Sequence, residues 1–190
     1  MQSRLLRSCF LLALLAPCAA PATPLWAASA APAPARVQQN PAAVLDAMLS
    51  RFANEMVPLV EAMPADKFNF APTNGQFQGV RTFAQQVVHV AQANDHYFGS
   101  ISSVPPPQIP NASTLQAKPA VLKALKDSIA YGHQVLATIT PDNAFAPVGG
   151  SRSRTRAGTA AAAIAHGYDH YGQLVEYLRM NGIVPPASRH

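Results

Sequence analysis

The sequence predicts an all-α fold, a four-helix bundle with a long crossover. Three observations carry that expectation. Four segments repeat their apolar residues every three or four positions, the period of a helix packed on one side. No segment alternates with period two over the length of a strand. The 18 prolines fall mostly before residue 41, in loops or at helix ends, where they punctuate helices.

The first 30 residues read as a secretory signal peptide. Arg4 and Arg7 form the basic start, Cys9 to Ala16 is a short apolar run, and Ala28-Ser29-Ala30 offers a cleavage site, with Ala27 a near alternative. A retained membrane anchor is the competing reading, but the run is too short for a bilayer span. Residues 31–40, mostly Ala, Pro and polar, read as a flexible tether. The mature domain is expected over 41–187, periplasmic or secreted, with no membrane span. Both cysteines, Cys9 and Cys18, lie in the leader. The mature chain therefore has no disulfide, thiolate metal site or cysteine nucleophile.

Asn40 and Pro41 suit the cap and first turn of a helix. Val44, Met48, Phe52, Met56, Leu59 and Met63 mark its apolar side. Pro58 should kink or break it, and Pro64 ends it. Residues 65–80 read as a loop whose Phe68, Phe70 and Phe77 tuck into the domain. The second helix is expected from Arg81 to Ser102, with Phe83, Val87, Val90, Asn94 and Phe98 inward, before the stop at Pro105-Pro106-Pro107 and a proline-rich crossover to Asn111. A third runs from Ser113 or Thr114 to Ile139, and a fourth from Thr155 to Asn181, closed by Gly182.

The net charge is +5, from 14 Lys+Arg and 9 Asp+Glu; without Arg4 and Arg7 of the leader 12 basic residues face 9 acidic ones, and a mature charge near +3 is no nucleic-acid signature. The one basic cluster, Arg152, Arg154 and Arg156, reads first as a solvated loop.

The histidines carry the chemistry. His166 and His170 stand four apart in a strong helical pattern, so both rings leave one face on consecutive turns. Ala161, Ile164, Leu174 and Leu178 border that face, so the pair points into or beside the bundle interior, where imidazoles need partners. His89, between Val88 and Val90, is the third candidate. Alone it reads as a satisfied core histidine; with the pair it reads as one ligand of a three-histidine site for Zn²⁺, Ni²⁺ or Fe²⁺. His96, two turns on, is the reserve ligand; His133 and the terminal His190 receive no role. Gln173 and Tyr177 continue the ligand face, whereas Asp95, Asp169, Tyr168 and Tyr171 lie off it.

Two stretches, FAQQVVHVAQANDHYF from Phe83 and HGYDHYGQLVEYLRMNGIVPP from His166, resemble the DinB/YfiT-like family of metalloenzymes. The likeness spans roughly residues 41–187 and includes the loop from Met63-Pro64 to Phe68. The resemblance implies a bundle holding a divalent metal ion through His89, His166 and His170, often as a homodimer. Some relatives are thiol-dependent transferases or isomerases; the secretory leader departs from that setting. The expected activity is a hydrolase-like one using metal-activated water on an unidentified small molecule. The alternatives are a thiol-dependent transferase, a non-catalytic metal-binding or stress-associated module, and a structural bundle with core histidines.

Overall fold

Asn40 opens the first helix. In the computed structural model, which describes residues 39–151 and 153–189, its Oδ1 accepts a hydrogen bond from the Ala42 amide at 3.0 Å. Four helices follow: α1 (Pro41–Ala62), α2 (Phe83–Gly99), α3 (Lys118–Leu136) and α4 (Arg156–Met180). Short 3₁₀ turns occupy Ala65–Lys67 and Pro186–Ser188. The described residues contain no strand, only an isolated bridge between Pro147 and Thr155. The expected leader and most of the tether lie outside the described residues.

Three of the four helix starts are held by a side-chain cap, and α3 instead carries Pro119 in its first turn. Thr82 and Gln85 form a reciprocal capping box at α2, each side chain accepting from the other's backbone amide. The next amides, of Phe83 and Ala84, donate to the carbonyls of Phe70 and Phe68 in the preceding loop, both at 2.9 Å. Thr155 Oγ1 accepts from the Gly158 amide to cap α4. At the other end of α1, Lys118 Nζ donates to the carbonyls of Glu61 and Met63, setting a cation on a helix C-terminus.

α1 and α2 lie across the bundle from each other, as do α3 and α4, and each helix packs against the other two. The proline-rich segment between α2 and α3 thus joins neighbours. The long spans across the bundle are the α1–α2 and α3–α4 connections.

Several expectations need correction. The inward row of α1 is Leu45, Leu49, Phe52, Met56, Leu59 and Val60, whereas Val44 and Met48 are 46% and 43% exposed. Two apolar rows run side by side there, and packing chose the leucine row. Pro58 neither breaks nor ends α1. The second and third helices are shorter than expected, and Leu115 stays in the loop. Phe68 is buried, but Phe77 is exposed. Arg156 is no solvated loop residue: its guanidinium donates to the Ile101 carbonyl and to Thr138 Oγ1, tying the start of α4 to the segments after α2 and α3.

Two glycines let the helices close. A Cβ on Gly167 would stand 2.7 Å from the Phe52 ring, and one on Gly132 would stand 2.7 Å from Phe98 and 2.9 Å from Leu49. Neither gap admits a methyl group without displacement. The expected result for Gly167→Ala is a loss of about 1–3 kcal/mol in urea unfolding. Gly172→Ala, on the same helix with nothing near its Cβ position, should gain roughly 0.5–1 kcal/mol from helix propensity.

Candidate metal centre

Gly167 seats one side of α4 on Phe52 of α1. At 100° per residue, His166 and His170 then stand roughly 60–100° round the helix, on the side facing α2. His89 meets them from the middle of α2. The ring centroids are 5.1 Å apart for His89 and His166, 4.8 Å for His89 and His170, and 4.6 Å for His166 and His170. One nitrogen of each ring lies within 4.8 Å of the others. His170 is buried; His89 and His166 are half-buried.

The remaining histidines are elsewhere. His96 is exposed and lines a small cleft with Tyr97, Arg154 and Thr159, so it does not join the group. His133 Nδ1 pairs with Asp46 Oδ1 at 2.5 Å, linking α3 to α1. His190 lies outside the described residues. Tyr97, which the sequence did not single out, places its ring 5.9 Å from that of His166. Its only sequence signal was its place beside His96.

A chain of side chains orients His170. Its Nδ1–H donates to Gln86 Oε1 at 2.6 Å, Gln86 Nε2 donates to Gln173 Oε1 at 2.9 Å, and Gln173 Nε2 donates to Asp169 Oδ2 at 3.1 Å. The direction of this chain follows from its end. An ionised carboxylate only accepts, so Gln173 must turn its amide nitrogen to Asp169 and its oxygen to Gln86. Gln86 then turns its own oxygen to His170. The proton of a neutral His170 therefore sits on Nδ1, leaving the Nε2 lone pair free. Gln173 thus does continue the face, through Gln86. Asp169 serves it without touching a triad ring. Tyr177, further down, donates from its hydroxyl to the Arg81 carbonyl at 3.0 Å.

The donor set fits a divalent metal ion. Nδ1 of His166 is buried with no hydrogen-bond partner among the described residues, a costly state for a lone imidazole nitrogen and an ordinary one for a metal donor. Small ring rotations bring nitrogens at this spacing within the span of two metal–nitrogen bonds of about 2.0–2.1 Å. The rings are also held neutral, as ligands must be. Burial is the first cause for all three, lowering His89 from 6.5 to about 4 and also lowering His166 and His170. The positive charge of Arg81 depresses each of them further.

This makes the metal-free protein acid-sensitive. Below pH 6.5 the unfolded chain takes up protons that the folded histidines refuse, so stability is full above that value and falls as the pH drops toward about 4. Asp95 acts in the opposite sense. Burial raises its carboxyl from 3.8 to about 6, so folding gains as the pH falls through that window. Urea unfolding of metal-free protein between about pH 7 and about pH 4 should show a flatter acid loss in His89→Gln and a steeper one in Asp95→Asn. Parallel curves for all three proteins would contradict these assignments.

Comparison with known proteins agrees with the helical fold. No curated protein matches the chain. The family model of the DinB superfamily matches residues 48–174, a stretch that includes most of α1, all of α2 and α3, and α4 through both of its histidines. A helical bundle that gathers three imidazoles between its second and fourth helices, matched over this much of its length, belongs to the DinB superfamily.

Proposed function

We propose that His89, His166 and His170 hold one divalent metal ion and that the protein is an exported metal-dependent enzyme of hydrolase type. The observation that carries the metal assignment is the convergence of three neutral, nitrogen-donating side chains, one of them with an orphaned ring nitrogen. A bound ion of this kind supplies Lewis acidity and lowers the pKa of a coordinated water.

The chain's own residues do the rest. Gln86, held by Gln173 and Asp169, keeps the proton of His170 on Nδ1 and fixes the plane of its ring. Burial and Arg81 keep the imidazoles from competing protons near neutral pH. His89 and His166, being half-buried, leave the site reachable from solvent, as turnover requires. Among the described residues no carboxylate hydrogen-bonds a triad imidazole. Asp95 stands roughly 120° round α2 from His89, on another side of the helix. General-base assistance from a side chain is therefore not part of this proposal. Export rests on the basic, apolar and small-residue order of residues 1–30. N-terminal sequencing of protein from the periplasmic fraction should begin near Ala31, and an intact Met1 there would refute it.

The metal assignment is tested by metal analysis and by melting with added zinc or nickel. Wild-type melting temperature should rise with metal, and that of His170→Ala should rise far less while its helical circular dichroism is kept. Equal occupancy in the two proteins would remove His170 from the site. Gln86→Leu should weaken zinc binding by roughly 10–100-fold, and Gln86→Glu, which keeps an acceptor toward Nδ1, should recover most of it. An ester and amide hydrolysis screen on metal-loaded protein separates catalysis from storage: activity abolished in His89→Ala supports the enzyme, and none at full loading indicates a non-catalytic metal-binding module.

A further inference from the structure

A cavity of about 430 Å³ lies between the loop before α2 and the C-terminal half of α4. Three of the large apolar side chains that this protein leaves in water, Phe77, Val80 and Met180, gather around it. Their exposures are 37%, 39% and 51%. Apolar side chains clustered at the mouth of a concave site mark a place that something apolar covers. Tyr177 adds an aromatic wall.

The polar groups are few and placed. The buried Gln86 and the exposed Gln173, the two amides that lead to His170, both line the cavity. Gln86 is only 4% exposed, so the cavity floor and the ligand-orienting contact are one side chain. Arg81 is also on the wall and forms no ion pair with any described residue. Its backbone is held on both sides: its carbonyl accepts from Tyr177, and Thr82 opens the capping box of α2. The acid on the wall, Glu176, is already engaged by Arg179 at 2.7 Å. The cavity therefore offers apolar walls and one uncommitted guanidinium, with Gln86 between it and His170.

We infer that this cavity binds an amphipathic small molecule with a single anionic head group of carboxylate type, its apolar body against Phe77, Val80 and Tyr177 and its charge on Arg81. The inference deepens the function proposed above by naming the class of molecule bound beside the three-histidine site, from which the buried Gln86 divides the cavity, and it rests on that reading for any role in turnover. Binding itself does not require the metal. A cationic ligand is disfavoured by Arg81, and a neutral one leaves the guanidinium without a partner.

Calorimetric titration of the purified protein with 4-phenylbutyrate, 4-phenylbutan-1-ol and 4-phenylbutylamine, metal-loaded and metal-stripped, tests it. The acid should bind at least about tenfold more tightly than the alcohol, as a charge-assisted hydrogen bond implies, and the amine most weakly. Arg81→Gln, at an exposed position, should abolish the preference for the acid, and Val80→Asp should weaken the acid more than the alcohol. Equal affinity for all three probes, an acid preference unchanged in Arg81→Gln, or no binding of any probe would overturn the proposal. Binding of the acid to His89→Ala with its affinity retained supports the cavity whatever the metal analysis shows. A protein that takes up no metal yet discriminates the three probes would refute the metal assignment and leave the anion site standing.

Discussion

The closeness of α4 to α1 at Gly167 governs everything the bundle does chemically. The Phe52 ring lies where a Cβ would be, so α4 rests on an aromatic face and cannot roll without losing that contact. With this side committed, the faces left to α4 are set by the helical period. Leu174 and Leu178 turn inward, and the strip from His166 through His170 to Gln173 turns toward α2. Gly132 does the same service between α3, α1 and α2, through Leu49 and Phe98. Close packing of this kind resists small displacements, and a metal site tolerates few of them.

Polar groups inside the helix seam are satisfied in an ordered way. The exposed carboxylate of Asp169 sets the direction of two amides, and through them the tautomer of a buried imidazole. The outermost link is exposed and adds little stability by itself; its effect is on which atom of Gln86 faces His170. Asn94 Nδ2 donates to Ser128 Oγ in a second buried link, between α2 and α3, and the Ser128 hydroxyl donates to the Leu125 carbonyl. Away from these contacts the core is almost wholly aliphatic and aromatic. The low dielectric of that core depresses the histidine pKa values, keeping the same rings uncharged and available as donors.

The loop between α1 and α2 does more than connect. It spans the bundle, supplies carbonyls to the first amides of α2, and raises the outer wall of the cavity with Phe77 and Val80. Phe77 was expected in the core because an aromatic in a polar loop otherwise lacks a reason. Its place at a cavity mouth gives it one, and nothing in the sequence separates that role from the buried role of Phe68 earlier in the same loop. Arg156 was misread for a related reason. The arginines of its cluster alternate with Ser and Thr, but the carbonyl and hydroxyl it binds belong to the segments just after α2 and α3.

Sequence alone determined the helical class, four segments, the bounds of α4 to within a residue, and the histidine pair at 166 and 170, because helical period and caps are local properties. It also made His89 the preferred partner of that pair. Which of two adjacent apolar rows of α1 would be buried, which helices would be neighbours, and that His89 rather than His96 would meet the pair were decided only by the tertiary structure. These depend on shape: on a phenyl ring entering the notch of a glycine, and on how far each helix rotates to fill the space its neighbours leave. The link from Gln86 to Gln173 has the same origin, since it joins positions 87 residues apart that no local spacing relates.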